Sequence, residues 1–290
     1  MKETVEEQFA YFQREGGAKG FALDRSYTEE RYSEIMRKSA ESLSVLEICY
    51  KIFPLIFGFF GVTIDLDKAL AETKKLAASI EKRKPHAPLA NESDEYMIWL
   101  SEYAMPQILF GTIYSYKTEY IKAAYHFMLG IKTEQIDLNN VYLYFISGIM
   151  EKLPQLATET ATYEGCGFSE NQPMGFCGGN MLMPDYERSI IAEMEGDNGE
   201  IIMAQIVGTK VIGCLRRLGS TVGQDTTNMI DIYETYIVDK QYKLQRVVFY
   251  FNGYCNRMDI TVKIAAGFHK KANSHRSNNP RFVAGYTIHL

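Results

Sequence analysis

The spacing of hydrophobic positions changes past the middle of the chain, and this change divides the sequence into two parts. Up to about residue 157, apolar residues recur every three or four positions, which is the spacing of helices that bury one face. Asp65 is placed to cap a helix over residues 66–83, and Pro54 is expected to bend or end the helix before it. One further helical face consists of Tyr96, Trp99, Leu100 and Tyr103. Residues 1–157 are therefore predicted to form a helical domain.

Beyond residue 157 the pattern becomes that of short strands, which follow a glycine-rich loop at residues 163–180. The strand-like runs are rich in Val, Ile, Tyr and Phe and are separated by Gly, Asn and Asp, which favour turns. They are Ile201–Val207, Lys210–Leu215, Ile230–Val238, Leu244–Phe251, Asp259–Ala265 and Phe282–His289. No helical pattern separates them after residue 200, so an antiparallel sheet is favoured. The sequence thus predicts an α+β fold, with a mostly antiparallel, β-rich domain over residues 158–290.

Small and aromatic residues alternate at helical spacing within residues 107–135 of the helical part. They are Phe110, Gly111, Tyr114, Tyr120, Ala123, Phe127 and Gly130. This set resembles a tetratricopeptide repeat, in which small residues let two helices approach and aromatic rings fill the space around them. The segment departs from that family at Gln107 and Gln135, and no second copy follows at the family's spacing. An ordinary helical hairpin with small residues at its crossing is the alternative interpretation.

The resemblance implies that repeat-like hairpins in the helical domain bind a partner protein on a concave face. On this interpretation the partner is contacted by Tyr114, Tyr120 and Tyr125. The leading hypothesis is therefore a protein-interaction or regulatory protein. Its helical domain would bind the partner, and its β-rich domain would carry a ligand or a second partner.

A cysteine within the glycine-rich loop supports a second hypothesis, that the protein is a thiol hydrolase or transferase. Cys177 is followed by two glycines, so its thiol is approachable and nearby backbone amides could stabilise an oxyanion. His269 or His275 could activate the thiol. The order Cys, His, Asn resembles that of papain-like hydrolases, although no aromatic residue follows Cys177 as it does in that family. The alternative to an enzyme is a packed structural loop whose thiols are unreactive.

The distribution of charge supports a third hypothesis, a module that binds an anionic small molecule. The net charge of −5 argues against a chain dedicated to nucleic acid. Residues 158–200 contain nine acids and one base (−8), whereas residues 201–290 contain five acids and twelve bases (+7). The two stretches either neutralise each other or leave a basic face that binds anions. The residues expected to contact such an anion are Lys270, Lys271, Arg276 and Arg281.

Neither a metal site nor a cofactor site is expected from the motifs. The five cysteines are far apart with no CxxC pair, and the glycines match no phosphate-binding motif. An odd number of widely spaced cysteines is typical of reduced, cytoplasmic proteins. The most apolar segment, Val45–Ile64, is interrupted by Glu47 and Lys51 and leaves a run too short to span a bilayer. No membrane contact is expected, and the start of the chain does not have the pattern of a secretory signal.

Overall fold

The computed structural model divides the chain into two compact units, Met1–Lys152 and Leu153–Leu290. The residues that it describes are 28–85, 94–132, 146–175, 180–181, 184–207, 210–223, 229–255 and 263–271. The first unit is helical and the second contains mostly antiparallel sheets, which confirms the predicted α+β fold. The division falls a few residues before residue 157, where the sequence pattern changes.

Each helix of the helical unit packs against the next along the chain. The helices are α1 (Glu29–Arg37), α2 (Val45–Phe57), α3 (Leu66–Glu81), α4 (Asp94–Tyr116) and α5 (Tyr120–Lys132). Residues 146–150 are also helical. Helix α2 contacts both α3 and α4, so these three helices surround the core of the unit.

Helices α1 to α3 begin at residues whose side chains cap them. Thr28, Ser44 and Asp65 each accept a hydrogen bond from the backbone N–H three residues later. At the start of α2 the exchange is reciprocal, because the carboxylate of Glu47 accepts a hydrogen bond from the backbone N–H of Ser44. The side chain of Lys38 and this N–H lower the pKa of Glu47 to about 2. The predicted cap at Asp65 is confirmed.

Helix α2 does not end at Pro54, although an end there is one of the two outcomes expected from the sequence. The helix continues to Phe57 and ends at Gly58, whose φ is 71°. Proline removes a backbone donor and disturbs the turn before it. Here only one turn follows the proline, and burial of Phe53 and Ile56 on either side offsets the lost hydrogen bond.

Trp99 joins the start of α4 to the end of α3 inside the core. Its indole N–H donates to the carbonyl oxygen of Ile80 at 3.1 Å. Its ring stacks on Tyr96 and Tyr103, with centroid distances of 5.8 and 5.2 Å. The predicted apolar face of α4 is therefore the face that packs into the core.

Helices α4 and α5 form an antiparallel hairpin with small residues where the helices approach each other. The connection passes through Thr118, whose φ is 58°. A Cβ at Gly111 would lie 2.7 Å from the ring of Phe127, and one at Gly130 would lie 2.9 Å from Ile108 Cδ1. The hairpin is the element that the sequence predicts, and its kinship with tetratricopeptide repeats stays a prediction.

The β-rich unit is built around the antiparallel pair of β9 (Met229–Val238) and β10 (Leu244–Asn252). The other strands are β1 (Glu159–Thr160), β2 (Met174–Gly175), β3 (Asn180–Met181), β4 (Met194–Gly196), β5 (Ile201–Ile202), β6 (Ala204–Val207), β7 (Lys210–Gly213), β8 (Leu215–Val222), β11 (Tyr254–Cys255) and β12 (Phe268–Lys270). Strands β1 and β2 pair with β10 in parallel, whereas β5 and β8 pair with β9 antiparallel. Antiparallel pairs of β3 with β11, β4 with β12 and β6 with β7 complete the described strands.

Two helices also belong to this unit, α6 (Leu153–Leu156) and α7 (Pro184–Ala192). Helix α7 packs against β6 and β7 and places Ile190 and Ile191 in the same core as Tyr233 and Phe249. The sequence pattern does not predict this helix. It positions the acidic residue on which the candidate site depends.

The strand predictions are accurate for the central pair and less so around it. Strands β9 and β10 agree with the prediction to within one residue at each end. The run predicted over 210–215 is divided, because the chain turns at Gly213 (φ 118°) before β8 begins. Of the run over 259–265, Lys263 forms a single bridge to Gly175, and residues 282–289 lie outside the described residues.

Replacing Gly111 with alanine is expected to destabilise the helical unit by about 1–3 kcal/mol, although alanine is the better helix former. The new Cβ would meet Phe127 at Cγ, close to its backbone, so the ring cannot move aside. Gly130→Ala is the matched control and should cost less, because Ile108 Cδ1 is the end of a flexible side chain. Urea unfolding followed by circular dichroism measures both. Wild-type stability of Gly111→Ala would remove the argument for a repeat-like crossing.

Candidate functional site

A buried glutamate lies where α7 meets the central sheet. Glu187 is 2% exposed and Tyr233, opposite it on β9, is fully buried. The hydroxyl of Tyr233 donates to Glu187 Oε2 at 2.5 Å. A carboxyl group in such a place needs every hydrogen bond that it can make, because burial without partners is costly.

Asp231, two residues before Tyr233 on the same strand, extends this group to the surface. It lies close enough to Glu187 for its charge to act to raise the pKa of that carboxyl. Arg217 Nη2 donates to Asp231 Oδ1 at 2.6 Å, and the hydroxyl of Ser220 donates to the same oxygen at 2.9 Å. The β8–β9 register brings these groups together, because it places Ser220 opposite Asp231 and Arg217 opposite Tyr233. We call Glu187 and Asp231 the carboxyl pair.

The environment moves the pKa values of the two carboxyls in opposite directions. Burial raises the pKa of Glu187 to about 8, and the charge of Asp231 adds to the rise. Burial also acts to raise the pKa of Asp231, but hydrogen bonds from Arg217 and Ser220 outweigh it and the pKa is lowered. Burial and the charge of Glu187 raise the pKa of Tyr233. Glu187 is therefore the weaker acid of the two carboxyls, and Asp231 the stronger.

Gly253, which follows β10, makes the space that Glu187 occupies. A Cβ at this position would collide with Oε1 of Glu187. The residue is itself buried, so the collision could not be relieved toward solvent. The position of the carboxyl pair thus depends on a missing side chain.

The sequence pattern does not identify Glu187, Asp231 or Tyr233 as site residues. The one local signal is the spacing of Asp231 and Tyr233, which puts two polar side chains on the strand face that also carries Ile237. Among the described residues, no group of three or more His, Cys, Asp or Glu side chains could hold a metal ion.

A second unusual surface lies in the helical unit, between α2 and α3. We call Phe57–Val62 the aromatic turn. Phe57, Phe59 and Phe60 are each partly exposed, and the phenylalanines contact one another with centroid distances of 5.2 and 6.1 Å. Ile64, just beyond the turn, is 43% exposed. The turn is closed by a hydrogen bond of 2.8 Å from the backbone N–H of Asp65 to the carbonyl oxygen of Leu55.

The backbone of the aromatic turn is left-handed at three positions. Gly58 and Gly61 have φ of 71°, which glycine adopts without strain, but Phe60 between them has φ of 55°. A bulky side chain rarely occupies this region, and its presence there is strained. The ring of Phe60 stacks on Tyr32 of α1 at 5.3 Å, which helps to hold it in place.

The residues predicted for thiol chemistry are mostly outside the described part of the chain. Cys177 and His275 lie outside it, and so the hypothesis of a thiol enzyme stays a prediction. His269 is described, and its Nδ1 lies 2.9 Å from Asp197 Oδ1 at the surface. Cys166, in the same loop as Cys177, donates its thiol to the carbonyl oxygen of Pro173 at 3.6 Å.

The residues predicted to bind an anion have internal contacts where they are described. Lys271 Nζ donates to the carbonyl oxygen of Ala192, at the end of α7, and to Gln205 Oε1. Burial lowers the pKa of Lys270, and the nearby charge of Glu193 opposes this shift. Arg276 and Arg281 lie outside the described residues.

Some ion pairs among the described residues of the β-rich unit join the acidic stretch to the basic one, and others lie within the basic stretch. Lys243 pairs with Glu159 at 2.7 Å, and His269 with Asp197, so each of these pairs joins one stretch to the other. Glu234, 7% exposed on the opposite face of β9 from Tyr233, is bound by the arginines Arg216 and Arg246.

The tyrosines predicted to contact a partner differ in exposure. Tyr114 and Tyr125 are 8% and 9% exposed, and Tyr120 is partly exposed. Tyr114 stacks on His126, whose Nδ1 lies 2.8 Å from Gln107 Oε1. Burial lowers the pKa of His126 to about 4, so this ring is neutral. Tyr114 and Tyr125 therefore offer little surface to a partner in this structure.

Comparison of the chain with protein-family models, with curated proteins and with solved structures found no significant match. Of the helices in the described residues, none is long and apolar enough to cross a membrane.

Gly253→Ala is expected to destabilise the β-rich unit by about 1–3 kcal/mol, because the methyl group would displace the Glu187 carboxyl. Glu187→Ala should also destabilise it, by leaving the buried hydroxyl of Tyr233 without its partner. The double variant should lose less than the sum of the two, since the second change removes the group with which the first collides. Urea unfolding measures all three variants.

Met229→Ala is the control for this cycle, because Met229 is 49% exposed at the start of β9. It should leave stability nearly unchanged. Strict additivity of Gly253→Ala and Glu187→Ala would contradict the described contact.

Native protein is expected to react slowly with iodoacetamide at Cys177, no faster than at Cys214, at neutral pH. Burial raises the pKa of Cys214 to about 12, so this thiol is a slow internal reference. Mass spectrometry of peptides after timed quenching measures both rates. Fast, selective modification of Cys177 that is slowed by replacing His269 or His275 would instead support the thiol-enzyme hypothesis.

Proposed function

We propose that the chain is a protein-interaction or regulatory protein that binds its partner through the aromatic turn of the helical unit. The observation that carries the proposal is the left-handed backbone of Phe60, a partly exposed aromatic residue. Strained conformations of bulky residues persist where the surrounding structure holds them, and they concentrate at functional sites. Glycine or asparagine adopts this conformation with less strain, so a phenylalanine here suggests a role for its ring.

The surface around Phe60 is suited to an apolar groove or flat apolar surface of another protein. Phe57 and Phe59 present partly exposed rings on either side of Gly58, and beyond Gly61 the space is open. Aromatic residues of this kind are the usual anchors of protein interfaces. Because the turn projects its rings instead of enclosing a cavity, the partner must supply the groove or flat surface.

The charges next to the aromatic turn favour a protein partner over a lipid bilayer. Asp65 is exposed at the start of α3, and the exposed carboxylate of Asp67 pairs there with Lys117 at 2.8 Å. Surfaces that insert aromatic residues into anionic membranes are flanked by an excess of Lys and Arg. A flank of mixed charge instead suits the polar rim of a protein interface.

The aromatic turn is a different partner surface from the tyrosines that the tetratricopeptide resemblance indicates. Tyr114 and Tyr125 are buried in the α4–α5 hairpin, and Tyr120 is partly exposed. The β-rich unit would carry the ligand or second partner of a regulatory protein. The wide spacing of the cysteines supports a cytoplasmic setting.

The experiment compares Phe60→Asn with wild type. Asparagine accepts a left-handed backbone, so the variant removes the ring while keeping the turn. Full-length chains are immobilised and incubated with extract of the cells that produce the protein, and the captured proteins are quantified by mass spectrometry. One protein is expected to bind wild type and to be lost with Phe60→Asn. After purification, it should bind the variant at least about tenfold more weakly, since hot-spot residues contribute 2 kcal/mol or more.

Ile98→Asn is the matched control. Ile98 is an apolar residue that is 61% exposed, more than Phe60, and it lies on α4, away from the turn. It should bind the partner as wild type does. Equal capture by all three chains would contradict the proposal. Sedimentation of wild type with anionic phospholipid vesicles, without any protein that depends on Phe60, would assign the turn to membranes instead.

A further inference from the structure

Helix α1 covers one side of the aromatic turn. The ring of Tyr32 stacks on the ring of Phe60, with 5.3 Å between the ring centroids and 25° between the ring planes. A ring stacked in this way withholds one face of Phe60 from any other molecule that would bind it. Tyr32 is thus both a support for Phe60 and an occupant of the surface that this ring offers.

Few contacts hold α1 in this place. Of the nine residues of α1, all of which are described, Ile35 is the one that is buried. Residues 38–42, which lead from α1 toward α2, are all exposed. A helix of nine residues is unstable by itself in water, so α1 depends on its contacts with the rest of the unit. The exposed connection allows it to leave as one piece.

A single carboxylate on α2 holds both ends of α1. Glu47 Oε1 accepts a hydrogen bond from Lys38 Nζ at 2.5 Å and one from Arg31 Nη2 at 3.4 Å. Arg31 lies in the first turn of α1, and Lys38 directly follows its last residue. The other oxygen, Oε2, accepts from the backbone N–H and the hydroxyl of Ser44. One oxygen of Glu47 therefore holds α1, and the other caps α2.

We infer that α1 is a detachable cover of the aromatic turn, held by Glu47, and that the partner of the turn binds Phe60 only after α1 has moved away. The second part of this statement rests on the proposed function, and the first part on the contacts of α1 alone. While α1 is attached, Tyr32 occupies the ring face that an anchor residue buries in its partner. The turn is then free only in the molecules whose α1 is detached, and the apparent affinity for the partner is reduced by that fraction.

Glu47→Gln separates the two roles of this side chain. Its carbonyl oxygen can replace Oε2 and keep the cap of α2, for which glutamine is as suitable as glutamate. Its NH2 group then replaces Oε1 and cannot accept a hydrogen bond from Lys38 or Arg31. In the full-length variant, amide hydrogen exchange should show α1 about three- to tenfold less protected than in wild type, because two partly exposed ion pairs are lost. Protection of α2 should stay as in wild type.

Glu72→Gln is the matched control, because the ion pair of Glu72 with Lys75, at 2.7 Å, lies within α3. Protection of α1 in this variant should equal that of wild type. If Glu47→Gln leaves α1 as protected as in wild type, or if α1 and α2 lose protection together, α1 is not held in the way described and the inference is overturned.

A second variant tests whether α1 covers Phe60, and it needs no partner. Ile35→Asp puts a charge where α1 is buried, so α1 should detach in nearly all molecules while α2 to α5 stay folded. Hydroxyl-radical footprinting with mass spectrometry should then show faster oxidation of Phe60 than in wild type. Loss of protection throughout the helical unit, or an unchanged oxidation rate of Phe60, would overturn the inference.

The effect on partner binding is measured with the protein captured through Phe60. It should bind Glu47→Gln more tightly than wild type, by the factor with which α1 loses protection. Unchanged or weaker binding to this variant would show that α1 supports the turn without obstructing it, which overturns the inference and leaves the proposed function intact. Should no captured protein depend on Phe60, the proposed function fails by itself, and the oxidation rate of Phe60 decides whether α1 is its cover.

Discussion

The register of β9 on β10 decides which side chains of the β-rich unit are buried. The two strands pair from Leu244 opposite Val238 to Asn252 opposite Ile230 without a shift. This register puts Tyr233 beside Phe249 on the face that α7 covers. A slip of one residue would turn this set to the opposite face. Glu187 would then have no hydroxyl to meet.

In the helical unit the corresponding constraint is the closeness of neighbouring helices. Caps at Ser44 and Asp65 fix where α2 and α3 begin, and the bond from Asp65 to Leu55 draws the intervening chain into a tight turn. Gly58 and Gly61 can follow that path without strain, and Phe60 is carried along with them. Phe60 is therefore held by its surroundings, which include the caps of α2 and α3 and the ring of Tyr32 on α1.

The sequence is sufficient for those elements whose signals are local. The caps, the apolar face of α4 and the strands β9 and β10 are predicted because each depends on residues within about one turn or one strand. Strand β8 is missed because the arginines Arg216 and Arg217, and a bulge before Gly219, interrupt its alternation. Helix α7 is missed because it has only nine residues and follows a glycine-rich loop.

The candidate site is beyond prediction for a related reason. Glu187 and Tyr233 are 46 residues apart, and their contact depends on where α7 packs and on the register of β9. The left-handed conformation of Phe60 is likewise set by its neighbours and not by its own preference. For the thiol hypothesis, the sequence contains the order Cys, His, Asn. The order of residues along the chain does not determine how far apart their side chains lie in space.

The core of the helical unit also gives the protein an optical property. Trp99 is the one tryptophan in the chain. Light of a wavelength that tyrosine does not absorb will excite this residue alone. The emission therefore reports on the helical unit and does not report on the β-rich unit. Its ring lies between two tyrosines and 5.2 Å from the ammonium group of Lys84. Intrinsic fluorescence can thus follow the junction of α3 and α4 without a label, and separate events in one half of the molecule from those in the other.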